Sequence, residues 1–183
     1  SVRTFTRNFE WRDPLKLFAE NVARYPGSYS AWSWLADSMR FRGMWDEAIH
    51  AYRRSLAINP NQDETWLALG EALSMAGRDD EAERILSRSV SMDPRNPWFR
   101  YALGIHLLSV GKNRAAIDVM QNMTDLNFPL SYHALGSAYL RLGNQQQAEE
   151  MFQKVLALYP KNRRLHAGFH SSLAVLYLSE GKL

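Results

Sequence analysis

A glycine recurs along this 183-residue chain at Gly43, Gly77, Gly111 and Gly143, spaced 34, 34 and 32 residues apart. Ala48, Ala82, Ala116 and Ala148 keep the same spacings. Pro26, Pro60 and Pro94 fall 34 apart, and Pro160 closes a fourth unit. A fixed period in this range marks a repeat array, in which each unit is one supersecondary element that buries its apolar surface on its neighbours. Trp66 to Pro94 is the most regular copy and reads as two helices joined by a turn. The chain is therefore expected to form a stack of similar units with a continuous ribbon of core, not one closed globule.

Composition narrows the class of function. A hydrophobic content of 46% and six Trp supply a core of the size such a stack needs and argue against disorder. The net charge of +3 comes from mixed charges, with Arg3, Arg7 and Arg12 near one end and Lys161, Arg163 and Arg164 near the other. That balance points away from nucleic acid. The absence of Cys excludes disulfides and thiolate metal sites. No apolar run approaches the ~20 residues that a membrane-spanning helix needs, so this segment itself is not expected to insert. No signal-peptide pattern is present. A chain opening on Ser is read as processed or as an excerpt of something longer.

Residues 1–13 form a leader (SVRTFTRNFEWRD) without regular punctuation. Asp13-Pro14 is a helix start, a capping carboxylate followed by Pro at the first helical position. Leu15, Phe18 and Val22 recur at helical spacing, and Tyr25-Pro26-Gly27 ends the segment, so 14–26 holds a lone second helix. Full repeats then run over 29–60, 63–94, 97–128 and 129–160. The third departs twice: its opening aromatic is read as slipped to Trp98, and Phe128 stands where Pro is expected. Residues 163–183 give the first helix of an incomplete repeat through Leu173, Ala174, Tyr177 and Gly181. The total is ten helices.

Close packing explains the residue types. Small residues such as Gly70, Ala82, Gly104, Gly136 and Ala148 let helix backbones approach, while Trp, Tyr, Leu and Phe fill the space beside them. On the outer faces Asp80 with Arg84 and Glu150 with Lys154 are expected i, i+4 pairs, worth about 0.2–0.5 kcal/mol each. The final helix, with Leu173, Val175, Leu176, Tyr177 and Leu178, is too apolar for a terminal cap. Either more chain follows it or it packs on another subunit as a dimer contact.

The recurring Trp, Leu-Gly, Tyr, Gly, Ala, Phe and Pro pattern resembles the tetratricopeptide repeat (TPR) over 29–160, extended by flanking half-units to about 14–183. The resemblance implies an all-α fold, a right-handed α-α superhelix of about ten helices, whose first helices line a groove that binds a peptide or partner domain. It implies no catalytic residues, no cofactor and no metal. By register the groove residues are Trp34, Asp37 and Arg40, then Leu67 and Glu71, then Tyr101, Ile105 and Leu108, then His133, Ser137 and Arg141. Ser33 and Ser74 lie on the same faces. The apolar members of the third unit either meet a ligand or pack on a neighbour. Two family specialisations are missing. Ser33, Asp37, Ala68, Trp98 and Ala102 occupy the places of the chaperone-tail clamp, and Trp34, Ala68, Ala102 and Ala134 occupy those of an asparagine ladder.

A second resemblance lies in the leader. Arg3-Thr4, Arg7-Asn8 and Trp11-Arg12, followed by a helix and Pro26, are similar to the junction in transmembrane-and-TPR glycosyltransferase-like proteins. This implies the array of a larger membrane-associated protein, on the extracytoplasmic side; without that resemblance a cytoplasmic location is expected. The functional expectation is a non-enzymatic interaction scaffold, with a free-standing adaptor or assembly factor as the alternative. A metal-dependent enzyme is the third class. His166 and His170 share helical spacing, but no Glu follows His166 and no third ligand is evident. Gly104 to Lys112 has too long an interval for a phosphate loop, and Asn122-Met123-Thr124 is a glycosylation sequon read as lying in a helix.

Overall fold

The computed structural model describes residues 13–121 and 128–158. Among them lie nine α-helices and no strand, in the order α1 (Pro14–Arg24), α2 (Tyr29–Phe41), α3 (Trp45–Ile58), α4 (Asp63–Met75), α5 (Asp79–Met92), α6 (Pro97–Ser109), α7 (Asn113–Met120), α8 (Pro129–Arg141) and α9 (Gln145–Leu158). Contacts divide the chain between Met92 and Asp93 into two compact units. The first holds α1 to α5 and the second α6 to α9. The expected tenth helix, its dimer contact, His166, His170 and the sequon lie outside the described residues, as does the leader up to Arg12.

Local chemistry sets the helix ends. The Asp13 carboxylate accepts from the backbone N–H of Leu15 at 3.1 Å, with Pro14 at the first helical position. Ser28 caps α2 by accepting from Ala31 N–H at 3.3 Å, and Asn96 caps α6 by accepting from Trp98 N–H at 3.0 Å. At the other end of α4, Gly77 takes φ +71°. A side chain in that left-handed conformation costs ~1–2 kcal/mol, which glycine avoids. The reversal lets Arg78 N–H donate to Leu73 O at 2.9 Å, closing the last turn. Gly43, Gly111 and Gly143 adopt the same hand after α2, α6 and α8. Only three residues separate the two helices of each pair, so each first helix must pack on its own second helix.

The core of each pair is a close approach. A Cβ placed on Gly70 would lie 2.7 Å from Leu86 Cγ, one on Gly104 2.6 Å from Met120 Cγ, and one on Gly136 2.6 Å from Phe152 Cζ. Leu86, Met120 and Phe152 are essentially enclosed. In the first pair the corresponding residues are Ala36 and Tyr52, both buried. Along the surface, Glu150 and Lys154 pair at 2.7 Å. Arg84 differs from expectation: its Nε donates to the main-chain carbonyl of Asp80 at 3.3 Å, because the helix offers that acceptor one turn back. A cross-helix clasp joins α3 to α5 through Glu81, 2.5 Å from Arg53 and 2.6 Å from Arg78. Arg78 first and Arg53 second hold the Glu81 carboxyl below its ordinary range. A depressed carboxyl contributes its stability above the ordinary value and loses it as pH falls towards the lowered one.

Gly136→Ala forces a methyl against the rigid Phe152 ring and should lower the free energy of unfolding by ~1–3 kcal/mol. Gly27→Ala, where an added Cβ meets nothing within 4 Å, should change it by less than about 0.5 kcal/mol. Urea denaturation followed by circular dichroism compares the two. Equal midpoints would remove the close-approach account.

Candidate interaction surfaces

In the first unit, α2 and α4 frame a cleft of about 420 Å³. Its walls include Tyr29, Ser33, Trp34 and Asp37 from α2, and Asp63, Glu64, Thr65 and Ala68 from α4, with Gln62 before α4 and Tyr52 from α3. Trp34 is 52% exposed and rests on Phe18 of α1, ring centroids 5.8 Å apart. The Tyr52 hydroxyl donates to Asp37 Oδ1 at 2.6 Å. Arg40 Nε lies 3.8 Å from the same oxygen, and Arg40 Nη1 is 3.2 Å from Glu71 Oε2. Burial pushes the Tyr52 phenol well above its ordinary range, and the hydrogen bond to Asp37 adds to the shift.

The polar part of this cleft is internally satisfied. Ser33 Oγ lies 2.8 Å from Ser55 Oγ, 3.1 Å from Thr65 Oγ1 and 3.3 Å from Gln62 Oε1. Ser55 also donates to Tyr29 O at 2.8 Å, and Gln62 Nε2 to Asn59 O at 2.6 Å. Ser55 and Thr65 are buried, so their hydroxyls need these partners to avoid the cost of lost hydration. The network ties the start of α4 to α2 and α3.

Of the residues expected on this unit's groove, Trp34 and Asp37 line the cleft, and Arg40 and Glu71 form an ion pair beside Asp37. Leu67 is partly exposed, but it does not line the cleft; its neighbour Ala68 does. Sequence reasoning missed Gln62, Asp63, Glu64 and Thr65. The available signal was two carboxylates in the first turn of a helix whose neighbour already supplied Trp34 and Asp37.

In the second unit the open surface is aromatic. Trp98 is 51% and Ile105 40% exposed on α6. Phe128 meets Trp98 edge-on at 4.9 Å and Tyr101 at 5.5 Å, so the residue found in place of Pro belongs to a cluster of three rings. Burial raises the Tyr101 phenol. Leu108 is a different matter: at 6% exposure its side chain is enclosed and lines no open surface, while its carbonyl accepts from Arg141 Nη1. His133 lies 6.0 Å from the Phe152 ring, and partial burial lowers its pKa. Ser137 is partly exposed.

Trp98 is not the displaced opening aromatic. The buried ring is Phe99, at 0% exposure, and Arg100 stands at the repeat position held by Trp32 and Trp66. In those copies the indole Nε1–H donates to the carbonyl of Pro26 at 2.9 Å and of Pro60 at 2.8 Å. Arg100 Nε donates to Pro94 O at 2.8 Å and so replaces the contact with a different chemical group. Trp98 is thereby released to the surface.

Among the described residues no group of three or more His, Asp or Glu is placed to hold a metal ion. No helix among them is long and apolar enough to cross a membrane.

Sequence profiles described as tetratricopeptide repeat match residues 41–91 and 129–162. A search of curated proteins found no match. Several solved structures are similar. A thermophilic TPR protein of Thermus thermophilus is 22% identical over 87% of this chain and 89% of its own, with a TM-score of 0.71. A MamA protein is 28% identical over 84% of this chain and 82% of its own, with a TM-score of 0.67. YrrB, described as a TPR protein with an unusual peptide-binding site, is 18% identical over 99% of this chain and 88% of its own, also at 0.67. The helix pairs and these likenesses define a helical-repeat fold. By these profiles residues 41–91 and 129–162 are tetratricopeptide repeats.

Tyr52→Phe removes the donor to Asp37 and should cost ~1 kcal/mol at neutral pH. The raised phenol fixes the sign of the pH effect: its contribution is complete below about pH 10 and is lost as pH rises beyond that. The stability gap between wild type and Tyr52→Phe should therefore narrow above about pH 10. Absorbance at 295 nm should also show one late-titrating tyrosine missing from the variant. A tyrosinate count that rises identically in both proteins would contradict the assignment.

Proposed function

We propose that the chain binds an extended or helical segment of a protein partner on the open faces of its first helices. The observation that carries this reading is the α6 surface. Trp98, Tyr101 and Ile105 fall at i, i+3 and i+7 on one stripe, and two of them are more than a third exposed. Phe128 braces the first two rings edge-on. Exposed, immobilised aromatic side chains lose little conformational freedom on binding and dominate the energetics of interfaces. The described peptide-binding character of YrrB, a structure similar in fold, supports the same reading.

The wider setting follows from the leader. Its arginines and Trp11 support a place in a larger, membrane-associated glycosyltransferase-like protein, with a free-standing adaptor as the alternative. Coding sequence upstream of Ser1 separates them: encoded membrane spans favour the first, and their absence removes it.

Panning the chain against a displayed library of random twelve-residue peptides tests the binding face. Peptides bound through α6 should lose at least tenfold in affinity to the double variant Tyr101→Glu, Ile105→Glu, with the helical circular dichroism unchanged. Unaltered affinity for every recovered peptide would take the site off this face.

A further inference from the structure

The first helices of the second unit offer apolar surface and hydrogen-bond donors without charge. We infer that the face formed by Trp98, Tyr101, Ile105 and Phe128 takes a proline-rich segment in the polyproline II conformation. This rests on reading α6 as a peptide-binding face, and it names the class of segment that the face selects.

Charge is the first constraint. Neither α6 nor α8, which packs beside it, contains an Asp or Glu. Their two arginines are engaged with main-chain carbonyls, Arg100 with those of Pro94 and Val119, and Arg141 with that of Leu108. Partial burial disfavours a charge on His133. At the second position of each first helix the first unit places Ser30 and Glu64, whereas the second places Trp98 and Leu130, both exposed. Such a face matches an uncharged occupant, since a charge seated on it would lose hydration without gaining a partner.

Hydrogen bonding is the second constraint. The indole N–H groups of Trp32 and Trp66 donate to Pro26 and Pro60, and the Tyr52 hydroxyl donates to Asp37. The indole N–H of Trp98 and the hydroxyl of Tyr101 have no acceptor among the described residues. Phe128 meets both rings edge-on, which gives the two donors fixed places. They call for carbonyl oxygens. A helical ligand spends its carbonyls within itself. A strand brings backbone N–H groups, for which this face has no carboxylate. Polyproline II has no internal hydrogen bonds, so its carbonyls are open, and its prolines bring no N–H to desolvate. The spacing agrees. Trp98 and Ile105 stand ~10.5 Å apart along the axis of α6 at the helical rise, and residues three apart on one edge of polyproline II recur every ~9.3 Å. Two pyrrolidine rings three residues apart therefore reach the ring cluster and Ile105 together, in a conformation that is already formed before binding.

Fluorescein-labelled decaproline is titrated with the full chain and followed by anisotropy, with a glycine-serine peptide of equal length as control. Decaproline should bind saturably and the control should not. Trp98→Ala should weaken decaproline at least tenfold, and Tyr101→Phe, which removes only the hydroxyl, at least threefold, with helical circular dichroism unchanged. Trp98→Phe keeps a ring without the N–H and should also cost at least threefold; it carries the test if the alanine variant loses helicity. No saturable binding of decaproline at millimolar protein overturns the proline class, and binding indifferent to all three variants overturns its place on α6. Library peptides that lack proline yet depend on Tyr101 and Ile105 overturn the proline class and leave the binding face standing. Library peptides indifferent to the Tyr101→Glu, Ile105→Glu double variant overturn the face itself.

Discussion

Everything else in these helix pairs depends on how closely the first helix approaches the second. At Gly70, Gly104 and Gly136 the absence of a single carbon lets Leu86, Met120 and Phe152 lie flat against the opposing backbone. A first helix held at that distance presents its remaining faces at fixed angles, one to the next pair and one to solvent. The filling residue varies from Leu to Met to Phe, and the first pair uses Ala36 with Tyr52. What persists is a small residue on the first helix facing a large, enclosed side chain on the second.

Tyr52 shows how such an exchange can couple packing to the surface. In the later pairs the filler is wholly apolar. Here the ring fills the same place while its hydroxyl reaches Asp37, so one side chain belongs to the core and also orients a group in the cleft. Ser55 and Thr65 act similarly. Both are buried, and both are spent on Ser33 and Gln62, which fixes the start of α4 against α2. The first unit therefore has a polar, negatively lined cleft braced from below. The second unit has an aromatic surface braced by Phe128. Two units of one repeat family thus offer different chemistry from equivalent helices.

Arg100 illustrates the tolerance of the repeat. The contact to preserve is a donor reaching the carbonyl of the proline six residues earlier, and an indole or a guanidinium can provide it at nearly the same distance. A pattern search sees a missing tryptophan and looks for the nearest one. The geometry sees a retained hydrogen bond and a neighbouring tryptophan set free.

By itself the sequence determined the period, the all-helical class, and the places where helices start and stop. Those features are local: a capping Asp13 or Asn96, a proline that cannot extend the ladder, and a Gly77 that takes the left-handed turn act within a few residues of themselves. Only the tertiary structure decided which first-helix residues remain open. Periodicity placed Leu108 beside Tyr101 and Ile105, yet Leu108 is enclosed, and it placed Leu67 on a groove whose cleft is lined by Asp63, Glu64 and Ala68. The reason is range. A helical stripe says which way a side chain points, but whether anything covers it depends on residues roughly a repeat away, and their spacing records no distance until the close approaches at glycine have set one.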